Sequence, residues 1–242
     1  MSKFYRTLII GTVVVLITIA ILYTLTITWN SIIYIFTGPI VEKYITYNTT
    51  SIKKIIIDLN NVNIKVSRGK PKIHIYVRKY CNVNIMEIGN MLIISNNIRR
   101  NPFLPLICQN SKIELWIPIN LEELKVRVSS SSIVIDNINV SKASIIINSG
   151  SAKISMSISK ILNILNNMGS IFMNIKPNSR AMINIHNNMG SMYIELETDG
   201  VTMNIVENNM GSIKNLCKIG TAVTLSIVNN MGSILIRCIG KT

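Results

Sequence analysis

The pentapeptide Asn-Asn-Met-Gly-Ser occurs four times, at 166–170, 187–191, 208–212 and 229–233, with a constant spacing of 21 between copies. A fixed period of this length signals one supersecondary unit stacked on copies of itself, because a unit this short cannot bury its apolar face alone. Each unit holds two runs of alternating residues. Ile171, Met173 and Ile175 alternate with Phe172, Asn174 and Lys176, and Ile183 and Ile185 alternate with Asn184 and His186. A period of two means strands with one face inward. The unit starting at Ser191 slips by one position, "TMNIV" against "MINIH", which predicts a small bulge or an adjusted turn there. Upstream the pattern loosens: the matching corners fall at Gly150 and Ser131, spaced slightly closer than the later ones. The sequence therefore predicts an all-β, parallel β-helix-like solenoid with 19- to 21-residue rungs.

Stacking gives the pentapeptide a structural meaning. Neighbouring strands lie about 4.8 Å apart, so identical positions form columns. Asn166, Asn187, Asn208 and Asn229, and likewise Asn167, Asn188, Asn209 and Asn230, are expected to form amide ladders. Gly169, Gly190, Gly211 and Gly232 mark corners that need positive φ or close backbone approach. Methionine over methionine is expected to fill the interior beside them. A repeated ligand site, with each turn offering Asn amides to a sugar or an ion, is the alternative.

The N-terminus reads differently. Residues 7–40 carry no charge. As a helix, residues 7–29 would be about 34 Å long, against a hydrocarbon core of about 30 Å. Trp29 and Tyr34 suit an interface. Lys3 and Arg6 precede the segment, and the next basic residue is Lys43, so the positive-inside bias puts the N-terminus in the cytoplasm and the rest outside. A cleaved signal peptide is the rival, but the apolar stretch exceeds a usual h-region. The expected organisation is a cytoplasmic stub and transmembrane anchor over 1–30, a connector over 31–50 and the solenoid over 51–242.

Charge bounds the partners. The chain carries a formal +14, and residues 43–100 hold eleven Lys or Arg against Asp58 and Glu87. Aromatic residues are not interleaved with these charges as single-strand binding requires, so no nucleic acid is expected. Beside an anchor, the basic residues read as solvated strand faces that sit near anionic lipid. Asn48 in "NTT" and Asn139 in "NVS" match the glycosylation acceptor pattern. None of the four cysteines forms a CxxC pair. Cys217 and Cys238 are separated by one full period and so occupy equivalent places in two repeats. They read either as small apolar residues in one ladder or, outside the cytosol, as a cross-rung disulfide.

Residues 52–140 add a second pattern. Leu59, Asn61, Val62, Ile64 and Val66 form an opening strand motif, Leu115, Ile117 and Pro118 an Ile-Pro strand, and Ser131, Gly150, Gly169, Gly190, Gly211 and Gly232 serial corners. Over residues 45–240 this resembles the toast-rack family of adhesin-like surface proteins. The resemblance implies a β-solenoid, often membrane-anchored, with a role at the cell envelope and no catalytic residues to transfer.

Catalytic patterns are weak. Glu195, Glu197 and Asp199 share one outward face, but a shift of one period from Glu197 lands on Lys176 and Lys218, which predicts a Lys-Glu-Lys column of ion pairs. His74 and His186 sit in alternating strands without neighbouring ligand residues. No phosphate loop, GxSxG or HExxH occurs. The expected protein has no cofactor and no metal. It is a non-catalytic, single-pass, extracytoplasmic solenoid acting in adhesion, envelope organisation or envelope sensing, with envelope glycans or proteins as partners. A polymer-forming scaffold resembling bactofilins is the second reading. It rests on residues 233–242, whose apolar alternation suggests an uncapped C-terminal rung open to self-association. A polysaccharide-active enzyme is the third.

Overall fold

A computed structural model describes residues 12–28, 38–47, 52–96, 108, 110–117 and 120–240. Lys3, Arg6, Trp29, Tyr34, Asn48 and Pro118 lie outside these residues. Residues 12–28 form one helix, α1, with exposed side chains. The other regular elements among the described residues are fifteen strands, joined in one curled sheet.

Each level of the stack is a pair of strands joined through a corner, here called a rung. Lys54–Asn60 (β2) and Asn63–Arg68 (β3) make one. Asn120–Ser129 (β8) enters the next, completed by the start of the long strand Ser131–Pro177 (β9), which runs on through two further corners. Ala181–Asn187 (β10) with Ser191–Glu197 (β11), Val201–Asn208 (β12) with Ser212–Asn215 (β13), and Val223–Asn229 (β14) with Ser233–Ile239 (β15) are the last three. Neighbouring rungs pair in parallel: Asn120 faces Asn139 across the shorter spacing, and Asn166 faces Asn187 across the longer one. The alternation works as read. Ile171, Met173, Ile175, Ile183 and Ile185 are buried in one continuous apolar core that runs from Ile52 to Ile236. Branched Ile packs well on such pleated inner faces.

The rungs do not stack in chain order. β14 lies between β10 and β12, pairing Asn187 with Asn229 and Asn229 with Asn208. β15 likewise lies between β11 and β13. The final rung is thus slotted inside the stack, and the rung before it is outermost. This corrects the expectation that residues 233–242 form the open end. The physical reason lies in regularity. β14 and β15 are full-length strands able to pair on both edges. In contrast, β13 is four residues long, and β12 carries the foreseen bulge, where the register shifts between Ile205 and Glu207. Short, bulged strands are how sheets blunt an edge. The outer edge of β12 is also covered at its start, where Val201 bridges Ile219.

The other end repeats the device. Met91–Asn96 (β6) and Lys112–Ile117 (β7) pair outside β2 and β3, although they follow them in the chain. Beyond them, Val83–Ile88 (β5) covers β6, Lys72–Arg78 (β4) covers β7, and Ile40–Ile45 (β1) covers β4, all antiparallel. The chain then returns inward to lay β8 against β2.

Candidate functional site

The Asn-Asn-Met-Gly-Ser corners align along one edge of the stack. Strand phase decides which side chain enters. Leu162 and Ile164 point inward, so Asn166 follows them into the core, and Asn166, Asn187 and Asn229 are fully buried. A buried amide must find partners. Asn166 Nδ2 donates to Asn187 Oδ1 at 2.8 Å, Asn187 Nδ2 to Asn229 Oδ1 at 2.9 Å, and Asn229 Nδ2 to Asn208 Oδ1 at 3.0 Å. Each also donates to the glycine carbonyl of its own corner, as Asn208 does to Gly211. The second asparagines form an outer ladder in the same order: Asn167 donates to Asn148, Asn188 to Asn167, Asn230 to Asn188 and Asn209 to Asn230. Asn166 Oδ1 finds no donor among the described residues. The inner ladder stops there because the motif stops: the residue near this corner in the upstream rung is Ile147.

The glycines are required for space. A methyl group on Gly190 would collide with Asn166 Nδ2 and the Gly169 carbonyl, and one on Gly232 with Asn187 Nδ2 and the Gly190 carbonyl. Among the corner glycines only Gly150 adopts positive φ, at 122°.

The methionines do not fill the interior, which corrects the sequence reading. Met168, Met189, Met210 and Met231 are 55%, 48%, 78% and 51% exposed. The asparagine takes the inward position, and the chain turns before a second inward residue is reached. With the neighbouring glycines and serines, these methionines line a shallow groove of about 680 Å³ that contains no charged side chain. Ser170 and Ser191 hydroxyls lie 3.3 Å apart along it. The Asn amides are spent on one another and on glycine carbonyls, so what the groove offers a ligand is thioether, hydroxyl and backbone.

The carboxylate column is half as expected. Lys176 Nζ meets Glu197 at 2.8 Å. On the other side Glu197 faces Ile239, not Lys218, because the final rung intervenes. Glu195 stands between Asn174 and Arg237 and accepts from the Tyr193 hydroxyl. Since Lys176 is exposed and Glu197 half-buried at the surface, Glu197→Gln should change stability by less than about 1 kcal/mol in a denaturant titration.

A second polar cluster escaped sequence reading. His74 Nε2 lies 2.8 Å from Glu42, and its Nδ1 lies 3.6 Å from Glu114. The imidazole stacks on Tyr44 at 4.3 Å, and Lys72 sits over the same phenol ring. The Tyr44 hydroxyl and His74 hold the Glu42 carboxyl below its ordinary range, while Lys112, with His74 adding to it, does the same for Glu114. Both glutamates are remote from His74 in sequence, and antiparallel pairing of β1, β4 and β7 brings them together. Nearby, the hydroxyl of half-buried Tyr47 donates to the Trp116 carbonyl, and burial raises its pKa. His186 Nε2 contacts Asn188 Oδ1. Among the described residues no group of three His, Cys, Asp or Glu is placed to hold a metal.

All four cysteines are bridged, Cys81 to Cys108 and Cys217 to Cys238. The second pair is the cross-rung disulfide and ties the outermost rung to the final one. Asn139 is half-buried in β9 and donates to Asn120 Oδ1. Among the described residues no helix is long and apolar enough to cross a membrane.

No protein-family profile matches the sequence. No curated protein matches it. Among solved structures, a putative cell adhesion protein from Clostridium sporogenes is similar, at 14% identity over 83% of this chain and 100% of that one, with a TM-score of 0.55. A putative adhesin from Bacteroides fragilis is 13% identical over 83% and 98% of the two chains, with a TM-score of 0.40. The likeness to the Clostridium protein is one of fold, and that all-β fold is the one the toast-rack resemblance implied.

Proposed function

We propose that this chain is a non-catalytic β-solenoid, tethered to a membrane by its N-terminal helix and displayed outside the cytoplasm, where it serves adhesion, envelope organisation or envelope sensing. The observation that carries this reading is the pair of disulfides, which persist in oxidising compartments and are rare in a reducing cytosol. The exposed apolar side chains of α1, from Val13 to Ile27, support the tether. Its threonines suit an apolar surround, because the hydroxyls of Thr18, Thr24, Thr26 and Thr28 donate to carbonyls one turn back. The cell adhesion name of the Clostridium protein points the same way. Envelope glycans or envelope proteins are the partners this reading favours. The polymer-scaffold reading loses its main support, since both ends of the stack are built from blunted or antiparallel strands.

A C-terminal tag on the full chain, with protease and a membrane-impermeant label added to intact cells, tests the topology. The tag should be cut and the domain labelled. Full protection of both would reverse the orientation and remove the surface role.

A further inference from the structure

Four residue types recur in each of the four Asn-Asn-Met-Gly-Ser corners, and three have a structural job. Asparagine makes the ladders, glycine leaves room for them, and the serine N–H continues the backbone bonding, as Ser233 does to the Gly190 carbonyl. Methionine has none. It is half or more exposed in three corners and nearly half in the fourth, although exposure is unusual for this residue. The segments between corners have diverged widely, from "SIFMNIKPNSRAMINIH" to "SIKNLCKIGTAVTLSIV", yet no corner of the four has lost its methionine. Packing does not explain that retention.

We propose that Met168, Met189, Met231 and Met210, in that stacking order, form a thioether site for a soft monovalent cation of the copper(I) class. The backbone sets them side by side: Met189 N–H bonds to Asn167, Met231 N–H to Asn188 and Met210 N–H to Asn230. Adjacent rungs are about 4.8 Å apart, and the three flexible torsions of each methionine let neighbouring sulfurs converge on one ion. Thioethers select soft cations, whereas hard cations favour carboxylate oxygens, which this groove lacks. No thiolate competes, since every cysteine is in a disulfide.

The test uses the detergent-solubilised full chain and Ag(I), a redox-inert surrogate, in chloride-free buffer. A bound cation takes one sulfur lone pair and withdraws density from the other, so peroxide oxidation read by mass spectrometry should slow by about tenfold or more at the four corner methionines. Met86 and Met182, which are exposed elsewhere at 40% and 45%, should be unprotected. Calorimetric Ag(I) binding should be lost in M189L/M231L, which keeps side-chain volume at exposed positions, and kept in M182L. Equal protection of all exposed methionines, or binding that survives in M189L/M231L, would overturn the site.

Discussion

Asn229→Ala is expected to lower the stability of the domain by about 2–4 kcal/mol, against less than about 1 kcal/mol for Asn208→Ala, in denaturant unfolding. The two residues are the same letter of the same motif. They differ in place. Asn229 is fully buried in the middle of the inner ladder, where its loss strands one N–H of the Asn187 amide and removes the donor to Asn208. Asn208 is the exposed last member, and its amide donates to the Gly211 carbonyl of its own corner rather than to a further rung. If the rungs stacked in chain order, Asn208 would be internal and Asn229 terminal, and the ranking would invert. The comparison therefore tests the topology itself.

Replacing Cys217 and Cys238 together by serine should loosen the outermost rung. The bridge closes a separation of 21, and a loop of that size contributes about 3 kcal/mol. Apart from the pairing of β12 with β14, little else restrains this rung: β13 has four residues and pairs along one edge with β15, and Ile219 in the segment that covers β12 is 98% exposed. Amide exchange should accelerate across 201–222 and stay slow across 181–197. Release of the rung would bare the regular edges of β14 and β15, so the variant should also associate at concentrations where the parent chain is monomeric. Unchanged exchange together with an unchanged elution volume would show that the bridge is not what holds the cap.

Much of this was legible in the residues. Alternation marked the inward Ile columns, the slip of one position foretold the bulge at Ile205–Glu207, and the period placed Lys176 beside Glu197 and Cys217 beside Cys238. The rung order was not legible, for a physical reason. Corners one period or two periods apart present identical ladders, so Asn187 can stack on Asn229 as well as on Asn208, and local pattern cannot choose. The choice falls to the irregular unit, which tolerates only one neighbour. Methionine was misplaced because the interior was assumed to take the apolar residue, whereas strand phase gave the inner position to Asn166. Cys81–Cys108 and the Glu42–His74–Glu114 cluster depend on strands joined by long connections, where spacing carries no signal.

The inward return of the chain at the distal end also bears on force. A load applied through the C-terminus does not reach a free edge that can peel away strand by strand. It reaches β15, held on one side by β11 and on the other by β13, and two ladders must rupture before the chain yields. A stack wound in simple sequence would unzip from its last turn. This one is tied off, like a bandage whose end is tucked beneath the wrap before it.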